Sequence, residues 1–182
     1  EIAQCLVGSE MCIRDSLWTV CRELSCRMLM LAGIGDRDEC GRLVDEAVKS
    51  GEALKRFEMM VKLQGGDVSY IEDTSKFRKA SFSREVYAPA DGYITHMDSE
   101  KIGLTAVLLG AGREKKDDDI NHAAGIIIAA KTGDFVKRGE LLATLFADDE
   151  SRLDGAESRY LSAVSIGDKK PAEQPMILDY ID

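Results

Sequence analysis

The feature that most restricts the fold of this chain is a series of short apolar segments, separated by glycine-containing turns, between Val86 and Phe146. The first two segments, Val86–Ala88 and Tyr93–Thr95, lie on either side of the sequence Pro-Ala-Asp-Gly at 89–92. Proline presets φ in such a turn, and glycine adopts the positive φ that other residues disfavour. The pattern predicts two strands joined by a tight corner.

Two further apolar segments, Gly125–Ala130 and Leu141–Phe146, repeat this arrangement. The polar bend between them carries glycines at Gly133 and Gly139. Apolar runs of this length bounded by glycines are typical of strands. Together the two pairs of segments predict one compact β-rich module.

A helix is predicted between the two pairs, from Ser99 to Leu109, because Ile102, Ala106 and Leu109 fall on one face. It leads into Gly-Ala-Gly-Arg at 110–113. Glycines after a helix commonly form a cap and a turn. Paired glycines also let the backbone approach a ligand closely, and the adjacent arginine is suited to an anion. Both interpretations fit this segment.

Three amphipathic helices are predicted upstream, at 17–32, after a cap at Asp36 or Asp38, and at 52–63. Their apolar faces need a partner surface, and a chain made alone is expected to leave apolar surface exposed. The predicted inward positions are Leu17, Val20, Cys21, Leu24, Met28 and Leu31, then Cys40, Leu43, Val44, Ala47 and Val48, then Leu54, Phe57 and Val61, with Met60 as a further candidate.

Downstream of the module, a helix is predicted from about Glu150 to Val164, capped by Asp148 or Asp149. Its inner face is expected to carry Leu153, Tyr160, Leu161 and Val164. The last apolar segment, Met176–Ile181, is predicted to be a short strand or an extended run.

Composition limits the classes of function. The 182 residues are 45% hydrophobic and 31% charged, as in ordinary globular proteins, and the net charge of −9 argues against binding nucleic acid or an anionic membrane. No apolar run is long enough for a membrane-spanning helix, so a cytoplasmic location is expected. The five cysteines lack CxxC spacing, which argues against zinc sites and disulfides; Cys21 and Cys40 are expected on apolar helix faces.

Five segments in a fixed order resemble the pyrimidine-nucleoside and thymidine phosphorylases. Four of them, AxxDGYI, LGAGR, DxIxxAxGI and KxGDxVxxGExLA, lie between Ala88 and Ala143 and resemble the C-terminal domain of these enzymes. The fifth, SGEALKRFEMMVKLQGGD at 50–67, resembles the end of their preceding α/β domain. The resemblance extends from about Leu17 to Asp182.

This resemblance implies an α+β chain. Residues 17–84 would be the helical remnant of an α/β domain, and residues 85–182 a C-terminal barrel-sandwich hybrid, or α/β-hammerhead-like, domain. Enzymes of this family reversibly phosphorolyse pyrimidine nucleosides to the free base and a pentose 1-phosphate, as homodimers and without an organic cofactor. Phosphate and the nucleoside are therefore the implied partners of the full-length protein.

The family's catalytic histidine and its residues for phosphate and pyrimidine binding have no counterpart in this sequence. The resemblance therefore implies the C-terminal fragment of an enzyme, inactive by itself. It assigns no catalytic residue and no metal here. It implies that the loop with Gly110, Gly112 and Arg113 helps to close the cleft on substrate.

The first 16 residues fit neither the family pattern nor a clear periodicity. SEMCIRDS within them resembles a translated adapter sequence, so residues 1–16 are interpreted as an artefactual or foreign leader. The alternative is a genuine, divergent N-terminal helix.

Other functions remain open alternatives. The glycine-bounded bend is also typical of biotinyl and lipoyl carrier domains, in which Lys101 would be the candidate for modification, and a non-catalytic structural domain is a further alternative. His96, His122 and the aspartates at 117–119 lack a recognisable catalytic or metal-binding pattern, and structural or solvated roles are expected for them.

Overall fold

The computed structural model of the chain describes residues 13–113, 115–172 and 175–180. These residues form two compact units. The helical unit comprises the described residues before Arg78 together with 175–180, and the β-rich unit comprises those from Arg78 to Ala172. The division lies slightly N-terminal to the predicted domain boundary at Arg84, and the last described residues belong to the helical unit.

The three predicted N-terminal helices are confirmed. They are α1 (Ile13–Leu31), α2 (Arg37–Lys49) and α3 (Glu52–Leu63), followed by the one-turn helix α4 (Ser69–Glu72) and a 3₁₀ turn at Thr74–Lys76. Asp36 caps α2, since its side chain accepts a hydrogen bond from the Glu39 N–H at 2.9 Å. Because α1 begins at Ile13, it includes the last four positions assigned to the leader; residues 1–12 lie outside the described residues.

The inward faces predicted for these helices are largely wrong. Met28 and Leu31 of α1 are 70% and 89% exposed, and Cys21 is exposed as well, whereas Cys26 and Cys40 are buried. The reason is that α1 packs on α2 through a face that also carries Arg22, whose guanidinium donates to both carboxylate oxygens of Asp45, at 2.7 and 2.8 Å. The predicted apolar stripe of α1, which includes Leu24, Met28 and Leu31, therefore stays exposed.

The C-terminal residues pack on the helical unit. The ring of Tyr180 lies 4.6 Å from the guanidinium carbons of both Arg27 and Arg37, and Nη2 of Arg37 donates to the Tyr180 hydroxyl at 2.7 Å. Cation–π contacts of this kind are favourable. The segment 175–180 forms no strand, and the chain bends at Met176 and Ile177, so of the two predicted alternatives the strand is wrong for these residues.

The β-rich unit contains two three-stranded antiparallel sheets. The first has the strand order β1-β5-β3 and the second β4-β2-β6. Helix α5 follows β2, and α6 lies between β5 and β6. The bounds are β1 (Phe82–Tyr87), β2 (Gly92–Met97), α5 (Ser99–Ala106), β3 (Gly125–Ile128), β4 (Phe135–Val136), β5 (Leu141–Ala147), α6 (Ser151–Ala163) and β6 (Val164–Gly167).

The predicted corner at 89–92 is confirmed, and it carries the chain from the first sheet to the second. Gly92 has a φ of +152°, and a Cβ at this position would lie 2.7 Å from Cγ2 of Ile166 and 2.9 Å from the Gly167 carbonyl oxygen. Both distances are shorter than van der Waals contact. Glycine is therefore required where the chain changes sheets.

One hydrophobic cluster includes residues of both sheets and of α6. β1 and β5 contribute Val86 and Leu145, β2 contributes Ile94, and α6 contributes the predicted inner residues Leu153 and Tyr160. Leu161 and Val164, also predicted to face inward, are only partly buried. Leu109, which belongs to the segment after α5, is a member of the same cluster.

The α+β class is confirmed: the described residues form helices and two small sheets and no closed barrel. The more specific barrel-sandwich arrangement stays a prediction. Among the described helices, none combines the length and the apolar character needed to cross a membrane.

We expect the chain made alone to self-associate, because the helical unit exposes large apolar side chains. Size-exclusion chromatography with light scattering measures the association. Leu31→Lys with Leu63→Lys should reduce it, since these side chains are 89% and 81% exposed and contribute little to folding. Ile127→Lys, on the β-rich unit, serves as the control. A monodisperse wild-type monomer that melts cooperatively would contradict this prediction.

Tyr160→Phe should stabilise the β-rich unit by about 1–3 kcal/mol, because the fully buried hydroxyl has no hydrogen-bond partner among the described residues. Burial raises the pKa of Tyr160 to about 12. The unfolded chain thus ionises first, and the wild type loses stability relative to the variant as pH rises from about 10 to about 12. Urea unfolding across this range measures the difference; a destabilised variant would show that the hydroxyl is hydrogen-bonded in solution.

Candidate functional site

The loop with Gly110, Gly112 and Arg113, which the family resemblance links to a substrate cleft, follows α5. Asp98 caps α5 through a hydrogen bond from the Lys101 N–H, at 3.1 Å. Regular α-helix ends at Ala106, and the chain continues over Val107–Ala111 with a kink at Gly110, whose φ and ψ are not helical. We call residues 107–113 the glycine loop.

Both glycines of this loop are needed for its shape. Gly110 has a φ of +104°, in the region that side-chain-bearing residues rarely adopt. Gly112 has an extended backbone, but a Cβ there would lie 2.8 Å from Cγ2 of Val107. Gly110 thus permits the positive φ, and Gly112 permits the close approach of the chain to Val107.

Two donors from outside the loop bind its backbone carbonyl groups. The Asn121 N–H donates to the Gly110 carbonyl at 2.9 Å, and Nη1 of Arg152 donates to the Leu108 carbonyl at 3.3 Å. The last carbonyls of a helix have no donor within the helix, so they require partners of this kind. Between them, the Leu109 side chain is buried in the core.

Asp148 connects the loop to the first sheet. It accepts hydrogen bonds from the backbone and hydroxyl of Ser81, both at 2.8 Å, from Nδ2 of Asn121 at 2.7 Å, and from Arg78. The Ser81 bonds, assisted by Asn121 and by the charge of Arg78, lower the pKa of Asp148. These contacts therefore stabilise the unit at pH values above the ordinary pKa of the carboxyl group and are lost as pH falls through the lowered value.

Arg113 is exposed, and among the described residues no hydrogen bond or ion pair to its side chain is observed. The structure thus places the predicted residues Gly110, Gly112 and Arg113 in one loop, in which the glycines set the backbone and the arginine faces solvent. A guanidinium group in this position offers several N–H donors to an anion. The arrangement can bind or close over an anion, but it contains no nucleophile or base.

Sequence reasoning missed the roles of Asn121, Asp148 and Arg152. Asp148 was identified only as a possible cap of α6, yet Asp149 accepts from the Ser151 N–H at the start of that helix, at 3.0 Å. The signal was weak because these side chains act across 27 and 44 positions of sequence.

The remaining candidates do not form a second site. His96 and His122 are exposed. Lys101 lies inside α5 and pairs with Asp98 at 3.2 Å, which does not match the hairpin tip that carries the lysine of a carrier domain. The part of the chain that the structure describes contains no group of three His, Cys, Asp or Glu side chains placed to hold a metal ion.

Comparison with known proteins identifies the region around this loop. Residues 93–167, from β2 to β6, match the model of the pyrimidine nucleoside phosphorylase C-terminal domain. The chain carries the C-terminal domain of the pyrimidine-nucleoside phosphorylase family. The resemblance found in the sequence is thereby confirmed, and the glycine loop lies within the matched region.

Curated relatives extend the match of this chain to its helical unit. It is 40% identical to the pyrimidine-nucleoside phosphorylase of Bacillus subtilis over 70% of its own length and 30% of the relative. It is 32% identical to the pyrimidine-nucleoside phosphorylase of Geobacillus stearothermophilus over 87% of its own length and 36% of the relative. It is 36% identical to a Staphylococcus aureus pyrimidine-nucleoside phosphorylase over 80% of its own length and 34% of the relative. The chain spans about a third of the length of these relatives.

Gly110→Ala should destabilise the end of α5 by roughly 1–2 kcal/mol, because alanine disfavours its positive φ. Gly103→Ala in α5 is the matched control: no atom lies within 4 Å of the added Cβ, and the gain in helix propensity should stabilise by up to about 1 kcal/mol. Hydrogen exchange of the α5 and loop amides measures both changes. Equal protection in the two variants would contradict the assignment of backbone strain to Gly110.

Proposed function

We propose that the chain is the C-terminal part of a pyrimidine nucleoside phosphorylase, a pentosyltransferase of nucleoside salvage. The whole enzyme would transfer the pentose of uridine or thymidine to phosphate and release the base, as a cytoplasmic homodimer. The observation that carries this proposal is the family match over residues 93–167, together with an exposed Arg113 on a loop of defined shape within it.

The proposed contribution of this chain is one wall of the substrate cleft. Phosphorolysis brings phosphate to the anomeric carbon while charge develops on the departing base, so donors and cations must surround the reacting groups. Arg113 would supply one such cation when the cleft closes, and closure also excludes water from the reaction. The catalytic groups would come from the remaining two thirds of an enzyme of the relatives' length, so the chain alone should be inactive.

The proposed domain organisation follows from the same resemblance. Residues 17–84 would end the α/β domain, and residues 85–182 would form the C-terminal barrel-sandwich hybrid. The two three-stranded sheets with one common core support the second assignment. The exposed apolar side chains of α1 and α3 support the first, because the rest of an α/β domain would cover them.

A chimera tests the proposal. The part of the Geobacillus stearothermophilus enzyme that precedes the matched region is joined to residues 17–182, and phosphate-dependent release of uracil or thymine is measured by absorbance. We expect activity from the chimera and none from either part alone. Since the residues that select the base are proposed to lie outside this chain, the chimera should keep the uridine-to-thymidine preference of the Geobacillus enzyme.

Arg113→Ala in the chimera should lower kcat/KM about tenfold, the effect of losing one charge-assisted hydrogen bond of about 1.4 kcal/mol. Arg138→Ala, which removes an exposed arginine from the glycine-bounded bend between β3 and β5, is the matched control. A folded chimera that does not release the base in the presence of phosphate would overturn the proposed function. If the Arg113→Ala and Arg138→Ala variants were both as active as the unsubstituted chimera, the role of Arg113 would be overturned.

A further inference from the structure

We propose that Asn121, Asp148 and Arg152 are positioning residues that hold the glycine loop and thereby fix the place from which Arg113 reaches the substrate cleft. This inference rests on the proposed function and deepens it. It is carried by one backbone contact and one side-chain contact with the loop, made by residues before β3 and after β5.

The first contact runs through Asn121. Its backbone N–H binds the Gly110 carbonyl at 2.9 Å, while its side-chain Nδ2 donates to Asp148 at 2.7 Å. Its Oδ1 accepts from the Ala123 N–H at 3.0 Å, which orients the amide. Asn121 therefore binds the loop with its backbone and a fixed carboxylate with its side chain.

Asp148 is fixed because it directly follows β5. Ala147, the last residue of that strand, is fully buried and pairs with Phe82 of β1. Ser81, immediately before β1, donates twice to the other oxygen of the Asp148 carboxylate. The carboxylate thus joins the ends of two paired strands to the loop through one side chain.

The second contact runs through Arg152 in the first turn of α6. Its Nη1 donates to the Leu108 carbonyl at 3.3 Å, and its Nε lies 3.5 Å from Asp149 Oδ2. The next residue, Leu153, is buried in the core and anchors this turn of the helix. Asp149 therefore orients the guanidinium, and the core holds the backbone that carries it.

Together the two contacts hold carbonyl groups on either side of the buried Leu109. The chain leaves this point through Gly110, whose positive φ directs it away from the α-helical path and toward Arg113. The position of Arg113 thus depends on the contacts at 108 and 110, because its own side chain makes none with the described residues. Loosening them should spread Arg113 over many positions and weaken its stabilisation of the developing charge.

Hydrogen exchange of the full chain tests whether these residues hold the loop. Arg152→Ala and Asn121→Asp should each raise the exchange of amides 107–113 about fivefold, and Arg152→Lys should restore part of the protection. Amides of β5 should not change. Arg159→Ala, which removes an exposed arginine from the same helix, is the matched control. Unchanged exchange in the glycine loop would overturn the proposal.

Kinetics of the chimera test whether holding the loop positions Arg113. Arg152→Ala should lower kcat/KM about fivefold, mainly through kcat, because a displaced Arg113 no longer stabilises the charge that develops in the transition state. Combined with Arg113→Ala, it should add little further loss, because both substitutions remove the same interaction. If the losses from Arg152→Ala and Arg113→Ala were additive in an active chimera, the positioning role of Arg152 would be overturned and the proposed function would stand. An inactive unsubstituted chimera would overturn the proposed function and, with it, this inference.

Discussion

The β-rich unit depends on the burial of one apolar cluster to which both sheets and α6 contribute. Neither sheet has more than three strands, and β4 has only two residues, so neither would be stable without the other elements. Burying Ile94, Leu145 and Tyr160 against one another supplies the hydrophobic stabilisation that the short hydrogen-bonded ladders lack. The glycine loop takes its place from this core, since Leu109 belongs to the same cluster.

The helical unit has a different balance of interactions. Its buried apolar side chains, among the described residues, are those of Cys26 and Cys40. Polar contacts such as the bidentate pair of Arg22 and Asp45 join α1 to α2 instead. Partly exposed ion pairs of this kind contribute little net stability. The apolar side chains of α1 and α3 thus remain largely exposed.

Much of the architecture could be predicted from the sequence. Glycine and proline specify backbone angles locally, so the corner at 89–92 and the bend between β3 and β5 were predicted correctly. Burial in the helical unit was not, because a stripe such as Leu24, Met28 and Leu31 shows only that a face is apolar, not whether another element lies against it. The contacts of Asn121 and Arg152 with the glycine loop arise from tertiary packing, which no local pattern encodes.

The division into two units also separates the optical properties of the chain. Trp18 is the single tryptophan of the sequence and lies on α1, where 38% of it is exposed. The β-rich unit contains the fully buried Tyr160 and no tryptophan among its described residues. Indole fluorescence therefore reports the surroundings of the helical unit alone. A change in that emission would register the covering of α1 by another polypeptide while the β-rich unit remained spectroscopically unchanged.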